Sequence, residues 1–384
     1  MKIVHICLAC FFPDNYSYQE NMLPKFHKEQ GYEVEVIASL FTFDKNGKDS
    51  EYPEAKQYIN EYGIKVTRLN YKKPKNINRI YKRFEGLKKA LENSNPNIIF
   101  IHGCQFADID IVANYAKKHT VTIFVDNHAD FSNSAKNIIS RMILHGIVWR
   151  YYAHKIEPYT KKFYGVLPAR VEFLKNVYRL PKDKCELLVM GADDELIEKA
   201  SSKESRETLR KKHKISTEDF LIVTGGKIDK WKTQTLTLMK VIKKLKLKNV
   251  KLLIFGSVTP ELKERVNELL EENLIQYIGW IDSKESYKYF AAANLVVFPG
   301  RHSVFWEQVV AQGIPMIVKY WIGTTHIDLN GNVEFLYNDT EEEMEKVLKK
   351  IILNEEKYRA MKTIAIEKGK KEFSYRDIAK RSIK

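Results

Sequence analysis

The chain has 384 residues, of which 44% are hydrophobic and 29% charged, with a formal net charge of +15. That length suits two domains, and that apolar fraction supplies real cores, which excludes a disordered chain. The basic balance favours anionic partners, yet lysines and glutamates are interleaved throughout and no zinc-finger, RNP or helix-turn-helix pattern accompanies them, so no nucleic-acid partner is expected.

No uncharged apolar run reaches the roughly 18 residues of a membrane span, so none is expected. The N-terminal MKIVHICLACFFPDNY has the charged start and apolar run of a signal peptide. It lacks a small-x-small cleavage site and fits a first β-strand better, so a cytoplasmic location is expected. Cys7 and Cys10 form a C-x-x-C spacing, but no second pair or histidine pair at zinc spacing accompanies it. With Cys104 and Cys185 they read as buried free thiols.

In chain order, Lys2 to Ala9 is an apolar run that reads as a buried parallel strand. Gln19 to Gln30 has helical spacing through Met22, Leu23 and Phe26, and Val34 to Ser39 is the next strand, which completes a βαβ unit. Ligands of such sheets bind beyond the C-terminal strand ends, which places the Asn15 and Tyr16 loop at the right end. Ile64 to Leu69 is a further strand. Tyr71 to Lys89 is the most basic segment and also carries Ile77, Ile80, Tyr81 and Phe84. It reads either as a membrane-surface contact or as a solvated helix with an ordinary apolar face, and the second reading is preferred.

Asn97 to Ile101 is a strand ending at His102, and Val121 to Val125 is another, followed by Asp126, Asn127 and His128. A histidine just past a strand end faces the crevice of a doubly wound sheet, so His128 is a candidate site residue. Asp108-Ile109-Asp110 matches a metal-binding D-x-D pattern, but acids also favour the first turn of a helix, and the metal reading is rejected. Lys136 to Arg150 spaces Ile138, Ile139, Met142, Ile143, Ile147 and Val148 helically, for a membrane-facing or a core helix, with core preferred.

Cys185 to Met190 is a strand before Gly191 and Asp193, and the charged run Glu198 to Lys214 reads as a connecting helix. Leu221 to Thr224 opens a second series of strands and runs straight into Gly225, Gly226 and Lys227, with Lys232 five residues on. Glycines allow close backbone approach and two lysines can neutralise a diphosphate; the Walker spacing is absent. Lys251 to Phe255 and Gln276 to Ile278 continue this series.

Phe298 to Pro315, FPGRHSVFWEQVVAQGIP, reads as a strand end, a Pro-Gly break, a helix from Val304 to about Gln312 capped by Ser303, and a Gly-x-Pro stop. A helix N-terminus after such a loop suits an anion. Glu307 and Gln308 lie within two turns of it, placed to bind hydroxyls of a ligand whose phosphates sit at the helix end.

These segments, in this order, resemble the donor-binding and acceptor-side motifs of the family 4 glycosyltransferases used in bacterial surface polysaccharide synthesis. The resemblance rests on the Pro299 turn and Gly313-x-Pro315 stop, Lys227 and Lys232 after the first strand of the second series, Gly191-x-Asp193, and His128. It departs in three places. The family's glycine pair is Asn15 and Tyr16, and the first of its two glutamates falls at Gly300 and is missing, the second falling at Gln308 beside Glu307; the glycine after the second lysine is Thr233.

The resemblance implies a GT-B α/β fold of two doubly wound Rossmann-like domains facing across a cleft. Residues 1–190, with a C-terminal helix over 371–384 packing back on them, would form the acceptor side, and residues 191–370 would bind the nucleotide sugar. It implies a retaining, metal-independent hexosyltransferase with no cofactor. The donor is a nucleotide-diphosphate sugar, UDP first and GDP second; the acceptor is a saccharide or lipid-linked hydroxyl. An anionic membrane surface is a candidate partner and a peripheral place at the inner face of the membrane a candidate location.

Catalytic roles are implied for His128, Lys227 and Lys232. Donor contacts are implied for Gly226, Lys227, Lys232, His302, Ser303, Glu307 and Gln308, with Gln308 or Glu307 on the ribose and His302 taking part of the sugar role. Acceptor-side contacts are implied for Asn15, Tyr16 and His102. The alternatives are a GT-B sugar-nucleotide epimerase, an inactive relative, and a non-catalytic basic module binding RNA or a membrane surface.

Overall fold

The computed structural model describes residues 1–43, 49–135, 137–230 and 232–384. The chain divides into two compact units, Met1–Met190 with Ile378–Lys384, and Gly191–Asp377. The return to the first unit thus begins at Ile378, later than the expected 371.

The first unit is built on an eight-stranded sheet. From edge to edge its strands are Cys185–Leu187, Thr160–Gly165, Thr122–Asn127, Ile98–His102, Lys2–Cys7, Glu33–Ser39, Lys65–Leu69 and Lys56–Ile59. All neighbours are parallel except the last pair. The N-terminal apolar run is therefore a central strand, and the topology switches between Lys2–Cys7 and Ile98–His102. Strands at the centre of a parallel sheet are covered on both faces, which explains their unbroken apolar character. Val4, Ile6, Ile99, Ile101, Ile123 and Val125 bury one face. On the other, the two-residue period places His5, Phe100, His102, Phe124, Asp126 and Tyr164, with His5 opposite Phe100 and His102 opposite Asp126.

The second unit holds a six-stranded, wholly parallel sheet in the order Ile275–Tyr277, Val250–Phe255, Phe220–Gly225, Leu295–Phe298, Met316–Lys319, Val333–Leu336. Its switch point lies between Phe220–Gly225 and Leu295–Phe298. The helix Glu355–Phe373 starts at Asn354, whose Oδ1 accepts from the Lys357 N–H at 2.9 Å. Asp193 caps Asp194–Ala200 through the Glu195 N–H, which gives the Gly-x-Asp motif a structural use at the chain's passage between units.

Several sequence expectations change. The single connecting helix over 198–214 is two, Asp194–Ala200 and Lys203–Lys212, because Ser202 caps the second through the Ser205 N–H. The basic segment after Tyr71 is broken into Lys75–Tyr81 and Leu87–Ser94; Tyr71 and Phe84 are buried and stacked at 5.0 Å, but Ile77, Ile80 and Tyr81 are exposed. The strand Thr160–Gly165 went unseen because Lys161 and Lys162 interrupt its apolar pattern.

The preferred core reading of the Lys136–Arg150 segment is overturned where it is described, Lys136 itself lying outside the described residues. A helix runs from Ser140 to Ile156, its first ten residues with π-type geometry. His145 and Trp149 are buried, whereas Ile138, Ile139, Met142, Ile143 and Ile147 are exposed, Ile138 by 75%. Asp108, of the rejected D-x-D, is buried, accepts from the Phe84 N–H at 2.6 Å and pairs with Lys72 at 3.1 Å, holding the Tyr71–Phe84 segment in place.

Candidate active site

In the second unit a hollow opens at the switch point of the sheet. It is lined by Thr224, Gly225, Gly226, Lys227, Ile228 and Lys232 after one strand, by Phe298, Pro299, Gly300, Arg301 and Ser303 after the other, and by Thr235, Ile254 and Phe255. Gly226 has φ 119°, a conformation an L side chain resists, and a Cβ on neighbouring Gly256 would come within 1.9 Å of the Gly226 carbonyl. The glycines therefore let two strand ends approach and leave backbone bare at the hollow.

Three cations meet there. Burial lowers the Lys232 pKa, and Arg301 and Lys227 push it the same way against the opposing pull of Asp229. Lys227 is 60% exposed and lies 3.8 Å from Asp229. Like charges held together in a half-buried hollow favour an anion that neutralises them. Arg301 belongs to no expected motif; its place directly after the Pro-Gly break is its one sequence signal. A side chain at Gly300 would meet Lys232 Cγ at 3.5 Å, so the position of the missing glutamate lies against this cationic group.

The neighbouring helix corrects the expected anion site. It spans only Phe305–Ala311, its N-cap is Val304, and Ser303 makes no side-chain cap. Ser303 still lines the hollow, but Glu307 and Gln308 do not. Glu307 is fully buried, and its Oε1 accepts from Nε2 of His302 and Nε2 of His326, each at 2.8 Å. Burial alone would raise its pKa, but the two imidazoles hold the carboxyl well below the usual range. Gln308 is buried with no partner for Oε1 among the described residues. His302, one residue from Arg301, packs edge-on against Trp306 with ring centroids 4.9 Å apart. His326, 19 positions along the chain from Glu307, gave no sequence signal.

In the first unit, His128 stands just past the strand Thr122–Asn127 with its side chain 27% exposed. Its Nε2 lies 3.4 Å from Asp126 Oδ2 and 3.8 Å from Glu20 Oε1, at ion-pair range but not aligned for a hydrogen bond. Burial works against the charged ring, but Glu20 and Asp126 together raise the His128 pKa. Asp126 is fully buried; burial would raise its pKa, and His102 and His128 hold it below the usual carboxylate range.

The expected acceptor contact at His102 is corrected by burial. The ring is fully enclosed, with Nδ1 on Asp126 Oδ2 at 2.8 Å and Nε2 on His5 Nδ1 at 3.0 Å, so it backs the His128 site from behind. Burial opposes charge on it, yet Asp126 raises its pKa to about 9. Asn15 is exposed with φ 65°, adopting the left-handed conformation that a glycine would otherwise supply, and Tyr16 packs near Tyr18 and Phe43. The same loop leads into helix Gln19–Glu29, which carries Glu20 and the Gln19 amide, 3.5 Å from Asp126 Oδ2.

Two trios, His102 with Asp126 and His128, and Glu307 with His302 and His326, bring three ligand-type atoms within reach of one another. Each offers two imidazoles and a carboxylate, a donor set that metal ions also use. Within the protein both nitrogens of His102 are engaged in hydrogen bonds, and Nδ1 of His326 is buried with no partner among the described residues.

Residues 205–368, which contain the cationic hollow, match the family described as Glycosyl transferases group 1. A search of curated protein sequences finds no match. Among solved structures, a glycosyltransferase from Rickettsia africae is similar at TM-score 0.67 and 15% identity, over 99% of this chain and 96% of that one. HepE of Anabaena in complex with UDP is similar at TM-score 0.69 and 13% identity, over 99% and 98%. The UDP-GlcNAc 2-epimerase of Neisseria meningitidis, bound to UDP-GlcNAc, is similar at TM-score 0.65 and 14% identity, over 99% and 98%. The group 1 match over residues 205–368 and the fold shared with these structures together support a GT-B glycosyltransferase.

Proposed function

We propose that the protein transfers a sugar, with retention of anomeric configuration, from a nucleotide-diphosphate donor to a hydroxyl of a saccharide or lipid-linked acceptor. The observation that carries the reading is the hollow at the switch point of the second sheet, where Lys227, Lys232 and Arg301 converge on bare glycine backbone. That chemistry suits a diphosphate. Lys232 and Arg301 stabilise the charge that grows on it as the glycosidic bond breaks, which on this reading replaces a metal ion. His302, held on Glu307 and set between the lining residues Arg301 and Ser303, takes part of the contact to the sugar or ribose. In the first unit His128 orients the acceptor hydroxyl, with Asn15 and Tyr16 in the adjoining loop.

UDP is the first choice of base; HepE, a structural neighbour, holds UDP and UDP-glucose. Thermal stability with UDP, GDP, ADP and CMP, in EDTA and then for Lys232→Ala, tests the donor site. Ligand at about 100 times its dissociation constant adds roughly 2.7 kcal/mol. A rise in Tm with one nucleotide, lost in the variant, is expected; no rise with any of them refutes the site. Epimerisation is the alternative reaction, and release of free nucleotide only in the presence of acceptor separates the two.

We further place the enzyme at an anionic membrane surface, inner face, as a peripheral protein. The exposed row Ile138, Ile139, Met142, Ile143 and Ile147 with exposed Arg141 on one helix, in a chain of net charge +15, supports this. Co-sedimentation with anionic but not neutral vesicles is the check. No helix among the described residues is long and apolar enough to cross a membrane.

A further inference from the structure

Three histidines and an aspartate cross the interior of the first unit in one line. His27 Nε2 lies 3.0 Å from the Ala379 carbonyl and 3.1 Å from Ser382 Oγ. His27 Nδ1 lies 3.0 Å from His5 Nε2, His5 Nδ1 lies 3.0 Å from His102 Nε2, and His102 Nδ1 lies 2.8 Å from Asp126 Oδ2. All four side chains are fully buried. Helix Gln19–Glu29 supplies His27, strand Lys2–Cys7 supplies His5, and the next two strands supply His102 and Asp126.

Hydrogen counting restricts this line. Its two ends accept only: one is a carbonyl, and the other a carboxylate held ionised. The Ser382 hydroxyl brings one hydrogen, and the shorter of its two contacts is to the same Ala379 carbonyl, at 2.8 Å against 3.1 Å to His27 Nε2. Four links therefore need four hydrogens, and three neutral imidazoles bring three. With the Ser382 hydrogen on that carbonyl, one ring must be a cation, or two lone pairs would face each other at 3.0 Å in a dry interior, a cost far above that of an ordinary missing hydrogen bond. His102 is the ring beside a carboxylate. Burial and the neighbouring rings depress His5 well below the usual value, and burial brings His27 down to about 4.

We propose that His27 and His5 form a one-directional hydrogen-bond line, anchored on the C-terminal helix, that holds His102 as an imidazolium at neutral pH and so makes Asp126 an ionised but neutralised partner that positions His128. The line is no proton conduit, because it ends on a carbonyl that cannot take up a proton. His5, His27 and His102 are positioning residues: they touch no ligand and act through Asp126. The other groups facing the line are Cys7 and Cys10 from the first strand and its loop, Glu20 and Gln19 from the first helix, and Arg170, whose Nε pairs with Asp130 at 3.1 Å. The purpose assigned to the line rests on the acceptor-side reading of His128; its charge state does not.

The test is nitrogen NMR of the imidazole rings in the full chain, assigned by His102→Gln and His128→Gln, with two substitutions at position 27 that make opposite demands. Phe at 27 removes one ring and two links, so His5 can reverse its tautomer and His102 can become neutral. Gln at 27 offers an amide N–H to Ala379 and an amide oxygen to His5, which preserves the direction of the line. In the wild type both His102 nitrogens should be protonated at pH 7.5. His27→Gln should keep this, and His27→Phe should leave one His102 nitrogen bare. Loss of the cation should also raise the titration midpoint of His128 by about one pH unit, since it then faces an unneutralised carboxylate.

A bare His102 nitrogen in the wild type overturns the proposal, and that spectrum decides even if His27→Phe fails to fold. An unchanged His128 in a folded His27→Phe protein, with His102 neutral, overturns the positioning role. Transfer unaffected by His128→Gln would defeat the acceptor-side reading alone and leave these spectra as they are.

Discussion

Both units place polar chemistry at the switch point of a parallel sheet, yet they handle charge in opposite ways. In the second unit Lys227, Lys232 and Arg301 gather at glycine backbone with Asp229 the acid whose charge bears on Lys232, so the hollow keeps an excess of positive charge. In the first unit each charge meets its opposite inside the protein, His102 on Asp126 and His128 beside Asp126 and Glu20. The first arrangement is suited to taking up an anion; the second to holding a neutral hydroxyl against a fixed imidazole. Desolvation explains the difference: a fully buried charge must be paired, whereas water still solvates a half-buried one.

The sharpest way to break this contrast is Asp126→Asn. It leaves the buried His102 cation without its partner, so stability should fall by about 3 kcal/mol in urea unfolding. A drop below about 1 kcal/mol would mean that the pair is not charged. In the hollow, Lys232→Ala should reduce turnover about a hundredfold by removing a charge that stabilises the leaving group. The fold should be kept, because Lys232 is only half-buried. Arg301→Ala should weaken nucleotide-diphosphate binding about tenfold by calorimetry, the value of one charge-assisted contact.

The pH dependence of stability sharpens the contrast further. His102 has a raised folded pKa of about 9, so its contribution is complete below the unfolded value of 6.5 and is lost as pH rises towards 9. His27 and His145 are both depressed by burial to about 4, so the unfolded chain binds their protons first and stability falls as pH drops from 6.5 towards 4. From these groups the urea midpoint should be highest near pH 6.5, and His27→Gln should flatten the acid limb. The smallest effect is expected at the surface. Ile143→Glu with Ile147→Glu should change stability by less than about 0.5 kcal/mol while reducing sedimentation with anionic vesicles.

Much of the fold was legible because strand–helix alternation is a local signal. Apolar runs over Lys2 to Ala9, Asn97 to Ile101, Val121 to Val125 and Leu221 to Thr224 marked strands, and polar residues gather at their ends. Gly226, Lys227, Lys232 and Ser303, which follow strand ends in the sequence, line one hollow. Ser303 does not cap the helix, and Glu307 and Gln308 are buried rather than lining the hollow, because a helix start and the direction of its side chains are set by packing. His5 was a visible anomaly, a polar residue inside the apolar run KIVHIC, but nothing in the sequence says what it meets.

The sequence by itself determined two series of parallel strands, the strand ends that carry polar residues, and a basic surface, because periodicity and composition act over neighbours in the chain. Only the tertiary structure decided which side chains share a hydrogen. The register of separate strands sets His102 against Asp126, helix packing brings His27 onto His5, and the returning C-terminal helix supplies the acceptor that gives the line its direction. Charge states in a dry interior follow from those meetings, and no local pattern encodes them.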